Sequence, residues 1–184
     1  MIEGNLAGRL KGAHIQRDKK LTKIANYKEL AYSRLKHLQD EEILALGIGL
    51  YLGEGGKTGS RFRFSNSNPN IIRFVIFWLG KFFHVKKERI TLRVLINESH
   101  ESREKEVARR WAEITHIPIN QFRRTTFVKS KNKKIFENFS HRLGTIALSV
   151  LKSSDLQYEV LGLCHAFLSH TIGKLTRGTD DRMF

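Results

Sequence analysis

The stretch that decides the fold of this chain reads GIGLYLGEGG, residues 47–56. Its apolar residues are those of a buried helix, but each interior glycine costs a helix roughly 1 kcal/mol relative to alanine. An acid, Glu54, stands near the end of the stretch, and Gly55-Gly56 can end the helix because glycine readily adopts a left-handed backbone. The sequence therefore predicts that close packing compensates for three interior glycines, Gly47, Gly49 and Gly53.

The charge of the chain points to a polyanionic partner. The chain has 184 residues, with 33 Lys and Arg against 18 Asp and Glu, and a net charge of +15. Such a field attracts polyanions, so nucleic acid is the predicted partner and an anionic membrane surface is the second candidate. Apolar residues make up 40% of the chain, which predicts a folded core rather than a disordered protein.

Cysteine usage and hydropathy predict the compartment. The single cysteine, Cys164, excludes an internal disulfide framework and a cysteine-based zinc knuckle. No N-terminal apolar run resembles a signal peptide. The longest apolar stretch, FVIFWLGKFF at residues 74–83, is far shorter than the ~20 residues that span a bilayer. We therefore expect a soluble intracellular protein of the cytoplasm or nucleoid that does not contact a membrane.

Three segments are predicted along the chain. Residues 1–39 carry nine Lys and Arg against three acids, with weak helical periodicity. They are expected to form a basic helical arm that is either partly mobile or packed on the main domain. Residues 40–169 hold the motifs and apolar segments of one domain, and residues 170–184 form a polar tail that we expect to be loose.

Local patterns predict the fold class. The segment SRFRFSNS, residues 60–67, alternates strictly. Alternation predicts a half-buried strand that points Arg61, Arg63 and Ser65 one way and its phenylalanines the other. Asn68-Pro69 predicts the start of a helix, with asparagine as its N-cap. Helices and strands then follow one another without a run of βαβ repeats. We predict an α+β fold, in which a mainly antiparallel four-stranded sheet has helices packed on one face.

Small residues line one face of the helix that ends at Glu54. Ala45, Gly49 and Gly53 recur every four residues, a spacing that lets two helix backbones approach closely. The partner of this stripe is either the chain's own core or the same helix of a second copy. Glu54 is either an exposed acid paired with Lys57 or, if two copies meet, one of two carboxylates near a two-fold axis. Paired carboxylates beside bound DNA suit Mg²⁺-assisted phosphodiester hydrolysis.

The segment GIGLYLGEG resembles the LAGLIDADG motif of homing endonucleases, which it matches position for position over residues 47–55. Gly49 falls on the packing glycine of that motif and Glu54 on its final acid, while Leu52 replaces its other acid. Three later stretches also resemble that family in their order: FSNSNPNIIRF, RWAEITHIP and TTFVKSKN. The resemblance covers residues 41 to about 165 and implies a LAGLIDADG-endonuclease-like fold.

The resemblance also implies a function. Chains of that family with a single motif act as homodimers on palindromic or near-palindromic duplex DNA. The implied activity is that of a site-specific endonuclease with Mg²⁺ or another divalent metal ion, which makes a double-strand break. Glu54 would ligate the metal together with the backbone carbonyl of Gly53. Lys129 is the candidate for a basic group that steadies the scissile phosphate or activates water. The dimer interface would contain Ala45, Gly49 and Gly53.

Basic and polar side chains of the predicted strands are the candidates for DNA contact. Residues 121–135 carry six Lys and Arg and no acid. They form either part of a basic sheet face that binds phosphates and base edges or a solvated loop. Two further functions compete with cleavage: a DNA-binding regulator that does not cut, and an RNA-binding splicing helper. The predicted contacts are Lys57, Arg61, Arg63, Ser65, Arg93, Arg123, Arg124, Lys129 and Lys131.

Overall fold

The computed structural model describes residues 2–129 and 143–178, and this part of the chain contains five α-helices and four β-strands. In chain order they are α1 (Ile2–Arg34), α2 (Asp40–Glu54), β1 (Arg63–Asn66), α3 (Pro69–Phe83), β2 (Ile90–Asn97), α4 (Glu104–Thr115), β3 (Phe122–Val128), β4 (Thr145–Val150) and α5 (Ser154–Gly178). The contacts divide the chain into two units, Met1–Asp40 and Glu41–Phe184.

The first unit consists of α1 and the turn that follows it. α1 has 33 residues, and its described side chains are exposed on every side of the helix. Two lysines lie over tyrosine rings one turn further on: Lys23 Nζ is 6.0 Å from the ring centre of Tyr27, and Lys28 Nζ is 5.9 Å from that of Tyr32. In the described ranges no helix is both long and apolar enough to cross a membrane.

The four strands of the second unit form one mixed sheet in the order β1-β4-β2-β3. β4 is antiparallel to both of its neighbours, but β2 and β3 run parallel. The prediction of a mainly antiparallel sheet is therefore right for only part of the sheet. The cause is α4, which lies between β2 and β3 in the sequence. It carries the chain back to the end of the sheet at which β2 began, so β3 runs in the same direction as β2.

Helices cover one face of this sheet. The inward side chains of its strands, among them Phe64, Leu92 and Leu148, are at most 1% exposed, because successive strand residues point to opposite faces. They belong to one hydrophobic cluster with buried residues of the helices: Ile48 and Tyr51 from α2, Trp78 and Leu79 from α3, Trp111 from α4, and Val160 from α5. The predicted α+β class is confirmed.

α2 differs from the helix buried on all sides that its apolar composition predicts. Only three of its residues are buried, whereas Leu46 is 50% exposed. A Cβ added at Gly49 or Gly53 would meet no atom within 4 Å. Composition does not reveal how many sides of an apolar helix a single chain covers. Within the described residues, the chain's own core is therefore not the partner of these two glycines.

α5 continues past residue 170, where the sequence predicts a loose tail, and ends at Gly178. Its core contacts come from its first half, while Phe167, Leu168 and Ile172 are exposed. The polar composition of residues 170–178 does not predict this continuation. The segment nevertheless contains no proline and has residues that a helix tolerates, so the helix can extend through it.

Candidate nucleic-acid interface

The exposed face of the sheet carries basic and polar side chains in register. Two rows cross the strands: Ser65–Ala147–Arg93–Arg123 and Arg63–Ser149–Thr91. Arg93 and Arg123 occupy paired positions on the parallel strands β2 and β3, and both are exposed. The sheet thus brings together residues that lie far apart in the sequence.

These rows form the floor of an open groove of about 830 Å³. No acid occurs among its described lining residues. Arginine offers five N–H donors in a planar fork, which suits both phosphate oxygens and guanine edges. The groove is therefore suited to a polyanion. Its charged and hydroxyl side chains are Arg61, Arg63, Arg93, Arg123, Ser60, Ser65, Thr91 and Ser149.

The loop that follows α2 holds one wall of the groove. The backbone N–H of Gly56 donates to the carbonyl of Arg63 at 2.8 Å, and the Arg63 guanidinium donates to the carbonyl of Thr58 at 2.8 Å. Gly59 has φ of 81°, a left-handed conformation that glycine adopts without strain. The loop thereby fixes Arg63 beside its neighbour in the groove, Arg61.

Glu54 lies at the end of α2, next to β1. Gly55 forms an isolated bridge with Phe64 of β1, which holds this helix end against the edge of the sheet. The Glu54 side chain is exposed and has no salt bridge among the described residues, so the alternative pair with Lys57 is not observed. Lys57 Nζ instead lies 5.9 Å from the ring centre of Tyr51. The Glu54 carboxylate is therefore available to a cation.

A buried hydrogen-bond network holds the turn that ends α2. The Tyr51 hydroxyl is within hydrogen-bond distance of the Gly56 carbonyl and 2.7 Å from Oε1 of Gln157, although its single proton serves one acceptor at a time. Gln157 Nε2 donates to the same Gly56 carbonyl at 2.8 Å. Both side chains are almost fully buried. Burial raises the pKa of Tyr51, and the hydrogen bond to Gln157 offsets part of that rise.

Gln157 supports the site, although nothing in the sequence predicts this role. It lies on α5, 106 residues beyond Tyr51. A single glutamine in an amphipathic helix has no local signal that separates a buried hydrogen-bonding role from a solvated one. Only the contact between distant elements identifies it.

The three interior glycines of α2 have different surroundings. A Cβ at Gly47 would collide with the indole ring of Trp78, whose Nε1 donates to the carbonyl of Leu44 at 3.3 Å. Gly49 and Gly53 instead face open space. Close packing therefore accounts for one glycine within the chain, and the other two lie on an uncovered helix face.

Lys129 and Glu54 are not brought together within one chain. Lys129 follows β3 and Glu54 adjoins β1, and these strands are the two edges of the sheet. Three strand spacings of about 4.8 Å separate the edges, which amounts to roughly 14 Å. The basic side chains that the fold holds near the end of α2 are Lys57 and Arg63.

Three other predicted contacts do not line the groove. Lys57, Arg124 and Lys129 are exposed. Lys131 lies outside the described residues, as does the rest of the basic stretch 130–135. The structure therefore places four of the predicted arginines, together with Ser65, along a single groove.

The oxygen atoms at the end of α2 are suitable ligands for a divalent metal ion. The Gly53 carbonyl is among the last four of the helix, which have no helical N–H partner. In the part of the chain described, no three His, Cys, Asp or Glu side chains are grouped to hold a metal ion. Glu54 and Gly53 would therefore supply only part of the ligands of an Mg²⁺ ion, and water and phosphate oxygens would supply the others.

Comparison of the chain with protein-family models, with curated proteins and with solved structures found no match. The groove and the end of α2 are therefore interpreted from their geometry and from the resemblance of residues 47–55 to the LAGLIDADG motif.

Proposed function

We propose that this protein is a LAGLIDADG-type endonuclease that acts as a homodimer on duplex DNA with a divalent metal ion. The observation that carries the proposal is the open groove of about 830 Å³, which is lined by three arginines of the exposed sheet face and by Arg61 of the loop before β1. Side chains on a sheet keep fixed distances from one another, and reading a base sequence requires such fixed positions.

Two kinds of DNA contact are expected in the groove. Arg93 and Arg123 stand at paired positions in its floor, so we expect them to reach guanine edges in the major groove. Arg61, on the loop that follows α2, is expected to bind phosphates, which position the duplex without reading its sequence. The hydroxyls of Ser65 and Ser149 can donate to or accept from a base or a phosphate.

The uncovered face of α2 supports the proposed homodimer. Small residues four apart let two helices approach closely, and Gly49 and Gly53 have the open space that such an approach needs. Leu46, which is 50% exposed, would add apolar surface to the contact. A two-fold axis through this face would bring two Glu54 side chains together and place one groove on each half-site of a palindrome.

The end of α2 would then be the catalytic centre. When bound, Mg²⁺ would supply a water of lowered pKa and neutralise charge on the phosphate. Glu54 and the Gly53 carbonyl would hold the ion. Lys57 and Arg63, rather than Lys129, would steady the scissile phosphate, because the fold holds them beside the same turn. Lys129 would contribute a phosphate contact at the other edge of the sheet.

Binding is tested by selecting a site from random duplexes and measuring affinity over a range of KCl concentrations. Arg93→Gln is expected to weaken binding to the selected site and to relax specificity at one base position, because its guanidinium is proposed to read a base edge. Arg109→Gln changes an exposed arginine on α4 and serves as the control. Equal losses in both variants would show that net charge, and not the groove, governs binding.

Cleavage is tested on the selected site with Mg²⁺. Glu54→Gln is expected to keep site binding and to lose double-strand cleavage, because an amide is a poor ligand for this ion. Glu113→Gln, at an exposed acid of α4, should retain both activities. If the Glu54 variant cuts at the wild-type rate, the proposed metal site is wrong.

A DNA-binding regulator that does not cut is the second candidate function, and the separation of Lys129 from Glu54 favours it. A selected site that is bound in EDTA, yet never cut with Mg²⁺ or Mn²⁺, would establish that role. RNA that competes better than DNA at matched salt would instead favour the splicing helper.

A further inference from the structure

α1 carries charge that the groove does not use. Residues 1–39 have a net charge of +6, and the described side chains of α1 are exposed. Each residue of an α-helix turns the chain by about 100°. With this rotation, four basic side chains lie within an arc of about 100° on one side of the helix. They are Lys19, Lys20, Lys23 and Arg34.

The acids of α1 do not neutralise this basic arc. By the same geometry, Asp18 and Glu29 lie on the other side of the helix, more than about 90° from the middle of the arc. Among the described residues, the four basic side chains of the arc have no carboxylate within salt-bridge distance. The basic arc therefore keeps its full positive charge, which favours contact with a polyanion.

We propose that the basic arc of α1 binds the phosphate backbone of duplex DNA and adds contacts of its own to those of the sheet. From Lys19 to Arg34 the arc is about 22 Å long, since the helix rises 1.5 Å per residue. A B-form duplex presents one phosphate charge per 1.7 Å of its axis, so each of these cations has phosphates within reach. Tyr27 lies in the same arc and is 61% exposed, so its hydroxyl can also donate to a phosphate.

A membrane surface fits this helix less well than DNA. A helix that lies in a membrane interface needs a continuous apolar face opposite its basic face. On α1 the side with Leu21 and Ile24 is interrupted by Arg17 and Lys28, while Leu30 lies within the basic arc. The apolar residues are therefore too scattered to enter a lipid layer together.

The proposal is tested with the full chain and a duplex of random sequence, so that no cleavage site is required. Binding is followed by fluorescence anisotropy at several KCl concentrations. The triple variant Lys19→Gln, Lys20→Gln, Lys23→Gln is expected to lower the salt slope by about 2.7, for three lost phosphate contacts at about 0.9 each.

Two matched variants complete this experiment. Lys11→Gln, Arg17→Gln, Lys28→Gln removes the same charge from other sides of α1, and its slope should change by less than about 1. Lys19→Arg, Lys20→Arg, Lys23→Arg keeps the charge and should retain the wild-type slope. Equal losses in the two glutamine triples, or a loss in neither, would overturn the proposal.

A measurement on the wild-type protein avoids any effect of substitution on folding. Acylation of Lys19, Lys20 and Lys23 should slow when the duplex is added, while acylation of Lys11 and Lys28 should not. Duplex RNA, or vesicles of phosphatidylserine, that protect the same lysines better than DNA at matched salt would overturn the choice of DNA.

The arm and the endonuclease are tested separately. The slope difference between the two glutamine triples should persist in a Glu54→Gln background, whether or not the wild-type protein cuts DNA. A protein that never cuts would leave the arm proposal intact. If the protein cuts DNA while the lysines of its basic arc are not protected from acylation, only the proposal for the arm is refuted.

Discussion

At the scale of single residues, the glycines of α2 and of the turn that follows it have different roles. Gly47 gives room to the indole of Trp78 in the core, and Gly55 lies so close to the ring of Tyr51 that a Cβ would collide with it. Gly49 and Gly53 have no such neighbour. The residue type is the same in each case, so only the surroundings of each glycine predict what a substitution does.

Gly47→Ala is predicted to destabilise the protein by about 1–3 kcal/mol, because the added methyl group forces a buried ring to move. The better helix propensity of alanine, worth roughly 1 kcal/mol, offsets only part of this cost. Gly162→Ala on α5 is the control, since a Cβ there meets nothing within 4 Å and is expected to stabilise slightly. Urea unfolding followed by tryptophan fluorescence measures both. A gain in stability at both positions would contradict the packing of Gly47 on Trp78.

Tyr51 predicts a dependence of stability on alkaline pH. Burial raises the pKa of Tyr51 in the folded protein, whereas in the unfolded chain the hydroxyl ionises at its ordinary pKa of about 10. The neutral, buried form therefore contributes its full stability below pH ~10, and this contribution is lost as the pH rises through the folded pKa.

Tyr51→Phe is expected to reduce this alkaline loss, at a cost of about 0.5–1.5 kcal/mol at neutral pH for the missing hydrogen bond. Tyr158→Phe, on an exposed tyrosine of α5, is the control. The free energy of unfolding is measured by urea titration at neutral pH and at several values above pH ~9. Identical pH profiles for the wild type and Tyr51→Phe would show that Tyr51 does not cause the loss.

At the scale of elements, the sequence predicts local structure better than the partners of each element. The strand pattern correctly predicts that Phe62 and Phe64 are buried while Arg63 is exposed, because strand periodicity is a local property. The N-cap at Asn68 is also confirmed, since its side chain accepts from Asn70 N–H at 2.9 Å. The parallel pairing of β2 with β3 was not predicted, because pairing depends on contacts between segments that are distant in sequence.

The prediction at this scale concerns the uncovered face of α2. Gly49→Leu is expected to convert the proposed dimer to a monomer, since a branched side chain keeps two helix backbones apart. The folded monomer should survive, because the position faces open space. Gly162→Leu, at an exposed glycine of α5, is the matched control. Analytical ultracentrifugation gives the mass and circular dichroism the fold. A Gly49 variant that stays dimeric with normal DNA binding would refute this role of the helix face.

At the scale of the whole molecule, the sequence predicts the members of the candidate site better than their arrangement. Arg63 of β1, Arg93 of β2 and Arg123 of β3 were all named from sequence, and the sheet places them along one groove. Lys129 was the candidate for the basic group that steadies the scissile phosphate or activates water, but its place at the sheet edge opposite Glu54 follows from an order of strands that no local pattern contains. Thr91 and Ser149 were missed for the same reason, because their place in the groove follows from register across β4.

The order of strands also governs when the groove first exists during translation. Of the four described strands β4 is the last to leave the ribosome, yet it lies between β1 and β2, and β1 is paired with no other described strand. Until β4 emerges, a nascent chain can form the β2–β3 pair but cannot join β1 to it. The two rows of groove side chains are therefore completed together, late in synthesis, and a chain that still lacks β4 has no assembled groove.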